Sequence, residues 1–416
     1  MHKTMIKSAF VFLLMLGSAG CQAGRCGNNL CEVKETVASC SRDCKPLNIE
    51  PSKITLVDKT GTGPRGIQLI NGTLIVGFVQ NGPDASAMNI HKYRASDYGL
   101  IEKVNIFNRP SRSGYNLGNP TPFQTKSGRL ILGFRDHLPE GHHKRFRLRV
   151  TYSDDNGQSW MPGKEDSTGF IDESDQGIWE PFFYYDKFDV LRVVYAKEKS
   201  AEDCFRRKGN RQVIAMKSST DDGLTWENET EIVGEGVSRD GVPAVTRLWD
   251  GSYLLVFESW RKSGCGVSIP SLVIRSVQSR DGVEWGKRRL VYEPKSVKRY
   301  SSKGIDYPRA SWPAITTLAD GRVLIAFTTD EDYPDDYGRY GGKEDKQMNE
   351  RLLLSKGAPS YEALEWDYSS IAGFAPQDER STPNARFSFL MMNRVKGKPV
   401  LLMGLPPRAM EIDLSK

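Results

Sequence analysis

Apolar and polar positions along the chain recur in one unit. A proline is followed eight positions later by a glycine, and six positions after that an apolar run closes on an aromatic residue. The unit occurs at Pro64–Gly72–Phe78, Pro120–Gly128–Phe134, Pro243–Gly251–Phe257 and Pro313–Gly321–Phe327, and at Pro181–Asp189–Tyr195 with Asp in place of Gly. A sixth copy, Gly397 to Met403, lacks the leading proline. Successive turn positions are 56, 61, 62, 70 and 76 residues apart. The pattern reads as a hairpin: one strand after the proline, a turn at Gly, and a β-rich strand back. Runs such as Leu74-Ile75-Val76 are apolar on both faces, which predicts strands buried between neighbouring sheets.

A hairpin of this size cannot bury itself and must pack on its neighbours. Six copies closed in a ring predict an all-β fold, a six-bladed β-propeller over residues 49–416. Ile54 to Val57 is expected to add a strand to the last blade and lock the ring.

A second motif marks the outer part of the blades. Ser153-Asp-Asp155-Asn-Gly157-Gln-Ser159-Trp160 and Ser219-Thr-Asp221-Asp-Gly223-Leu-Thr225-Trp226 share the pattern S-x-D-x-G-x-[ST]-W, known as the Asp box. Ser279-Arg-Asp281-Gly282-Val-Glu-Trp285 is a shortened copy, Ser96-Asp97-Tyr98-Gly99 a degenerate one, and Trp366 ends a decayed unit. Turn chemistry accounts for every position: Asp and Ser bond backbone groups, Gly takes a positive φ, and Trp packs between sheets. These aspartates therefore read as structural, not as catalysts or calcium ligands.

The hairpins also locate a site. Residues beside the proline and those after the closing aromatic lie at one end of each hairpin, so all six ends meet on one face around the axis. Those positions hold Arg65, Asn119, Arg135-Asp136-His137, Trp179-Glu180, Arg239-Asp240, Glu258-Ser-Trp260, Tyr307, Trp312 and Asp330. Acids, arginines and aromatic platforms suit sugar chemistry. Glu180 and Glu258 are the candidate carboxyl pair of a glycoside hydrolase. One of the two must be protonated at working pH, and Trp179 and Trp260 next door are expected to supply the apolar surface that raises its pKa.

At these residues the chain resembles a known group. Trp179-Glu-Pro-Phe182, Gly133-Phe-Arg-Asp-His137, Gly241-Val-Pro243 with Phe257-Glu258, and the Asp boxes are similar to glycoside hydrolase family 93 and its sialidase-like relatives. The resemblance covers roughly residues 60 to 400. It implies an exo-α-L-arabinanase acting with retention, with Glu180 as acid/base and Glu258 as nucleophile. It further implies that Arg65, Arg135 and His137 line a sugar subsite. Asp136 stands where that family usually has Asn, and the stretch Asp330 to Asp345 is long and acidic. A true sialidase is the alternative enzyme: Arg65, Arg239 and Arg309 would bind a carboxylate and Tyr307 would be the nucleophile. The family's Arg-Ile-Pro signature is absent, with Pro64-Arg65-Gly66 in its place. A non-catalytic carbohydrate-binding propeller is the third reading.

Composition changes this picture little. The 416 residues are 38% hydrophobic and 26% charged, ordinary for a folded chain. Lys+Arg 58 against Asp+Glu 52 gives +6 without a basic run, so nucleic acid is not an expected partner. The N-terminus is more informative. Lys3 and Lys7 precede the apolar run Ala9 to Leu16, too short to span a bilayer, and Ser18-Ala19-Gly20-Cys21 resembles a bacterial lipobox. Residues 1–20 therefore read as a lipoprotein signal peptide and Cys21 as the lipidated mature N-terminus. The expected location is a membrane-anchored lipoprotein in the periplasm or on the cell surface, or otherwise a secreted protein.

Six further cysteines fit an oxidising compartment. Cys26, Cys31, Cys40 and Cys44 form a Cys-rich segment over residues 21–48 in which two disulfides staple a stretch with no core of its own. Glu32, Glu35 and Asp43 read as solvated acids. Cys204 and Cys265 occupy nearly equivalent loops of adjacent units, which predicts a disulfide between them. The expected partner is an oligosaccharide or polysaccharide, handled by a monomer without cofactor or metal.

Overall fold

The structure is a computed structural model that describes residues 31, 52–54, 61–110, 114–161, 169–199, 211–234, 238–260, 271–295, 299–301, 304–306, 308–331, 348–374, 388–404 and 407–413. Six four-stranded antiparallel sheets form the body, and no helix occurs among the described residues. The innermost strands are Gly61–Gln68, Asn116–Gln124, Ile178–Tyr185, Gly241–Arg247, Ala310–Thr317 and Phe389–Asn393, which define blades one to six. Each inner strand packs on the next, and that of blade six packs back on that of blade one. The ring is closed, a six-bladed β-propeller as the repeat predicts. A small ribbon, Arg299–Ser301 with Gly304–Asp306, sits in the connection between blades four and five.

Closure uses both ends of the described chain. Blade six is built from Phe389–Asn393, Lys398–Gly404 and Pro407–Glu411, and its outer edge is Ser52–Ile54. Ile54 pairs with Ala409. The locking strand thus begins earlier than the expected Ile54 to Val57, and residues 55–60 lie outside the described residues. The leader, most of the Cys-rich segment, Cys21, Cys26, Cys40, Cys44, Cys204, Cys265 and Tyr307 also lie outside them. Cys31 is described, fully buried and disulfide-bonded.

One apolar cluster fills each interface between neighbouring blades. The Asp-box tryptophans belong to these clusters: Trp160 packs with blade-one residues, Trp226 with blade two, Trp285 with blade three and Trp366 with blade four. In the first full box, Ser153 Oγ accepts the N–H of Gly157 at 2.7 Å. Both Gln158 and Ser159 donate backbone N–H groups to Asp155 at 2.9 Å. The carboxylate is consumed by its turn, as expected from sequence.

The proline register has a structural cause. In blades one to five the inner strand carries a β-bulge in which two residues oppose one of the second strand. The two are Gly63-Pro64, Asn119-Pro120, Glu180-Pro181, Val242-Pro243 and Trp312-Pro313. The single residues opposite are Phe78, Phe134, Tyr195, Phe257 and Phe327, the closing aromatics of the repeat, and all five are completely buried. Proline suits the bulge because a bulged residue has no ladder hydrogen bond to give. Each aromatic contributes about 1.5–3 kcal/mol by burial and holds the bulge from behind. The inner strand of blade six has neither proline nor bulge.

Candidate active site

The five bulges converge on the axis. The residue before each proline has a positive φ: Gly63 58°, Asn119 51°, Glu180 50°, Val242 50° and Trp312 50°. That conformation is unfavourable for any residue but glycine and most of all for β-branched valine. Four strained positions in one ring are the signature of a site that the surrounding fold holds in place. The same five residues, with Pro64, Arg65 and Ser388, line a small cavity on the axis.

Glu180 lines this cavity from its bulge, whereas Glu258, at the end of the second strand of blade four and in register with Gly241, lies behind the wall beside the lining residue Trp312. Glu258 is 9% exposed, and its Oε2 accepts the backbone N–H of Trp312 at 3.0 Å. Burial raises its pKa to about 7. The Trp312 hydrogen bond opposes that rise, the charge of Glu180 adds to it, and Arg239 and Arg309 oppose it. Burial also raises the Glu180 pKa, while Arg135, Arg65, Arg239 and a backbone hydrogen bond from Val242 pull it back. The charge of Glu180 therefore acts on Glu258 and adds to its raised pKa.

Arginines surround the pair. Arg65 Nη1 donates to Thr121 Oγ1 at 2.9 Å and to the carbonyl of Pro181 at 3.0 Å, which fixes it beside the Glu180 bulge. Burial lowers its pKa to about 10, so it stays charged at neutral pH. Arg135 donates to Asn116 at 2.8 Å and stacks 5.1 Å over the Trp179 ring. Arg239 is held 3.4 Å from Glu198. Asn119 is 7% exposed, and its Oδ1 has no hydrogen-bond partner among the described residues. Such an acceptor in a cavity wall is open to a hydroxyl donor. Among the described residues no group of His, Cys, Asp and Glu could hold a metal ion.

Other sequence-predicted site residues support the wall from behind instead of lining it. His137 is 2% exposed, its Nε2 is 2.9 Å from the Ile178 carbonyl, and its ring meets Trp179 edge-on at 4.6 Å. Burial and Arg135 depress its pKa to about 3, so it is a neutral prop for the Arg135–Trp179 stack. Asp240 has no exposed surface and binds Arg288 at 2.8 Å and Ser238 at 2.8 Å. Asp330 is buried and accepts the backbone N–H of Arg309 at 2.7 Å, which positions a residue acting on Glu258. Trp260 ends its strand opposite Leu272 and is not in the cavity wall. Asp136 points away altogether, into a buried cluster with Arg109 at 2.6 Å and Arg149 at 3.0 Å. Sequence reasoning missed Val242 and Ser388. The residue before each proline was the available signal for Val242, whereas blade six has no proline to mark Ser388.

No family model matches the chain, and no curated protein matches it in sequence. Solved structures do. An α-L-arabinanase of Penicillium chrysogenum in complex with arabinobiose is 18% identical, with TM-score 0.55, covering 89% of this chain and 97% of that one. A protein of unknown function from Dyadobacter fermentans is 14% identical, with TM-score 0.58, covering 88% and 98%. The NanB sialidase of Streptococcus pneumoniae is 11% identical, with TM-score 0.53, covering 89% and 71%. The chain is thus an all-β six-bladed propeller similar in fold to these structures. Its fold is the one that the arabinanase and the sialidase use.

Proposed function

We propose that this protein is an exported glycoside hydrolase that removes units from the ends of glycan chains, with an arabinan-type substrate and Glu180 and Glu258 as the reacting carboxyl pair. The observation that carries the reading is Glu180 in the wall of the axial cavity, close enough to the buried Glu258 for its charge to act on it and with Arg65, Arg135 and Arg239 nearby. The similarity to an arabinanase that binds arabinobiose supports the sugar class.

In this reading one carboxyl protonates the leaving oxygen while the other attacks the anomeric carbon, giving retention at a carboxyl separation of ~5–5.5 Å. The family resemblance makes Glu180 the acid/base and Glu258 the nucleophile. Burial raises both carboxyls, and Arg135, Arg65 and Arg239 act to hold Glu180 down. Asn119, Arg65 and Arg135 bind sugar hydroxyls, and the Trp312 ring offers a platform. Lipid attachment at Cys21 is part of the proposal and places the enzyme at a membrane surface.

The test is a hydrolysis screen of the purified mature protein on arabinan, 4-methylumbelliferyl sialoside and aryl glycosides. Release of short arabinosides supports the reading. Turnover of the sialoside alone would replace it with a sialidase. Sugar binding without turnover would make the protein a lectin-like propeller.

A further inference from the structure

All six inner strands run from the cavity towards the opposite end of the ring, where their hairpin turns lie. Turn tips are ordinarily polar. Here Ile70 in blade one, Phe188 in blade three, Trp249 in blade four and Val395 in blade six are 75%, 67%, 50% and 59% exposed. Val395 lies against Gly72, in the turn that carries Ile70. Leu224, in the Asp box at the same end, is a fifth exposed apolar side chain. Scattered exposed apolar residues are normal, but a set at one end of a closed ring needs a reason.

The turn of blade five is bonded to Cys31, the one described residue that precedes Ser52. Cys31 donates its N–H to the Asp320 carbonyl at 2.9 Å, and its carbonyl accepts the N–H of Ala358. The Trp249 indole N–H donates to the carbonyl of that same Ala358 at 3.0 Å. Cys31 and Trp249 therefore flank one residue. The N-terminal segment is pinned to the end opposite the cavity. Cys21 precedes Cys31 by ten residues, a reach of at most ~35 Å.

We infer that the end of the ring opposite the cavity is a lipid-facing surface, with Ile70, Phe188, Trp249 and Val395 dipping into the membrane interface and the cavity mouth held away from the bilayer. The inference rests on the proposed lipid attachment at Cys21. Tryptophan and phenylalanine are favoured at the interface, and an apolar end beside the anchor adds buried area to the hold of the lipid. Charge is mixed at this end, Lys126 pairing with Asp189 and Arg129 with Asp154. Binding should therefore be insensitive to salt and to anionic lipid. A membrane-facing cavity would exclude a polymer substrate, whereas this orientation presents the site to one.

The test uses the full-length chain in two forms, lipid-bearing and Cys21→Ser, with phosphatidylcholine vesicles that contain brominated phosphatidylcholine. The lipid-bearing form should float with the vesicles and show tryptophan quenching. Trp249→Phe should remove most of that quenching and Trp312→Phe little of it, while Trp249→Phe leaves hydrolysis of a soluble substrate unchanged. Replacing all four apolar tips by Ser should lower partitioning of the Cys21→Ser form at least tenfold. If the lipid-bearing form floats but Trp249→Phe leaves quenching unaltered, the anchor stands and the lipid-facing surface is refuted. If the lipid-bearing form carries no lipid yet Trp249 is still quenched, the surface stands and the anchor fails. Absence of both flotation and quenching, or a concentration-dependent dimer that buries Trp249, overturns the inference.

Discussion

The backbone N–H of Trp312, in blade five, donates to Glu258 Oε2, in blade four, at 3.0 Å. A strained bulge in one blade thereby orients a carboxyl of its neighbour. The donor is backbone, and a side-chain change at Trp312 should leave it in place. Trp312→Gly also suits the 50° φ. It should raise KM through loss of the ring from the cavity wall while leaving the pH limb set by Glu258 within about 0.5 unit of the wild type. Steady-state kinetics across pH measures both. A moved limb with unchanged KM would contradict the backbone role.

Glu258 predicts a pH dependence of stability. Its folded pKa, about 7, lies above the ordinary 4.5. The stability tied to its neutral form is complete below pH 4.5 and is lost as pH rises through 7. Glu258→Gln removes that loss, so the variant should gain relative to wild type above pH 7, by up to about 3 kcal/mol. Denaturant melts at pH 5 and pH 8 give the comparison. An equal difference at both values would show that Glu258 does not titrate in this window.

Glu350 should behave likewise with a later window. It is fully buried, accepts Ser388 Oγ at 3.0 Å and is raised to about 8 by burial. Glu350→Gln should flatten the fall in stability between pH 4.5 and 8. Because Ser388 lines the cavity, a change in KM is also expected. Unchanged melts across this range would argue that its carboxyl is ionised throughout.

Asp136 separates structure from chemistry. It has no exposed surface and compensates both Arg109 and Arg149. Asp136→Asn removes the carboxylate that both buried arginines share and should cost about 3–5 kcal/mol. Activity per folded molecule should hold, because the side chain points away from the cavity. A stable but inactive variant would place Asp136 in the site after all.

Azide rescue divides the roles of the two glutamates. If Glu180 is the acid/base, Glu180→Ala with azide yields a glycosyl azide that retains the substrate's anomeric configuration, because azide opens the glycosyl-enzyme and the centre inverts twice, whereas Glu258→Ala with azide yields the inverted azide by one direct displacement. Swapped products would make Glu258 the acid/base and Glu180 the nucleophile.

Much of this was legible in the chain because one feature serves fold and site together. The proline that marks each repeat is the second residue of a bulge, and the aromatic that closes it is the residue opposite. Reading that register placed the six hairpins and found Glu180 and Glu258. It did not say which way a strand-end side chain turns. His137, Asp240 and Asp330 sit at the expected ends yet point into the protein, because alternation and the bulge decide facing. Val242 was hidden by being apolar, although its backbone supports Glu180.

The most direct test of the central claim is kcat/KM for wild type, Glu180→Gln, Glu258→Gln and the double variant on the substrate that the screen identifies. Residues that act as one unit are non-additive. Each single variant should lose ~10³-fold or more, the double should lose little beyond that, and all four proteins should fold. Full activity in both single variants, or losses that simply multiply in the double, would contradict a glycoside hydrolase built on this pair.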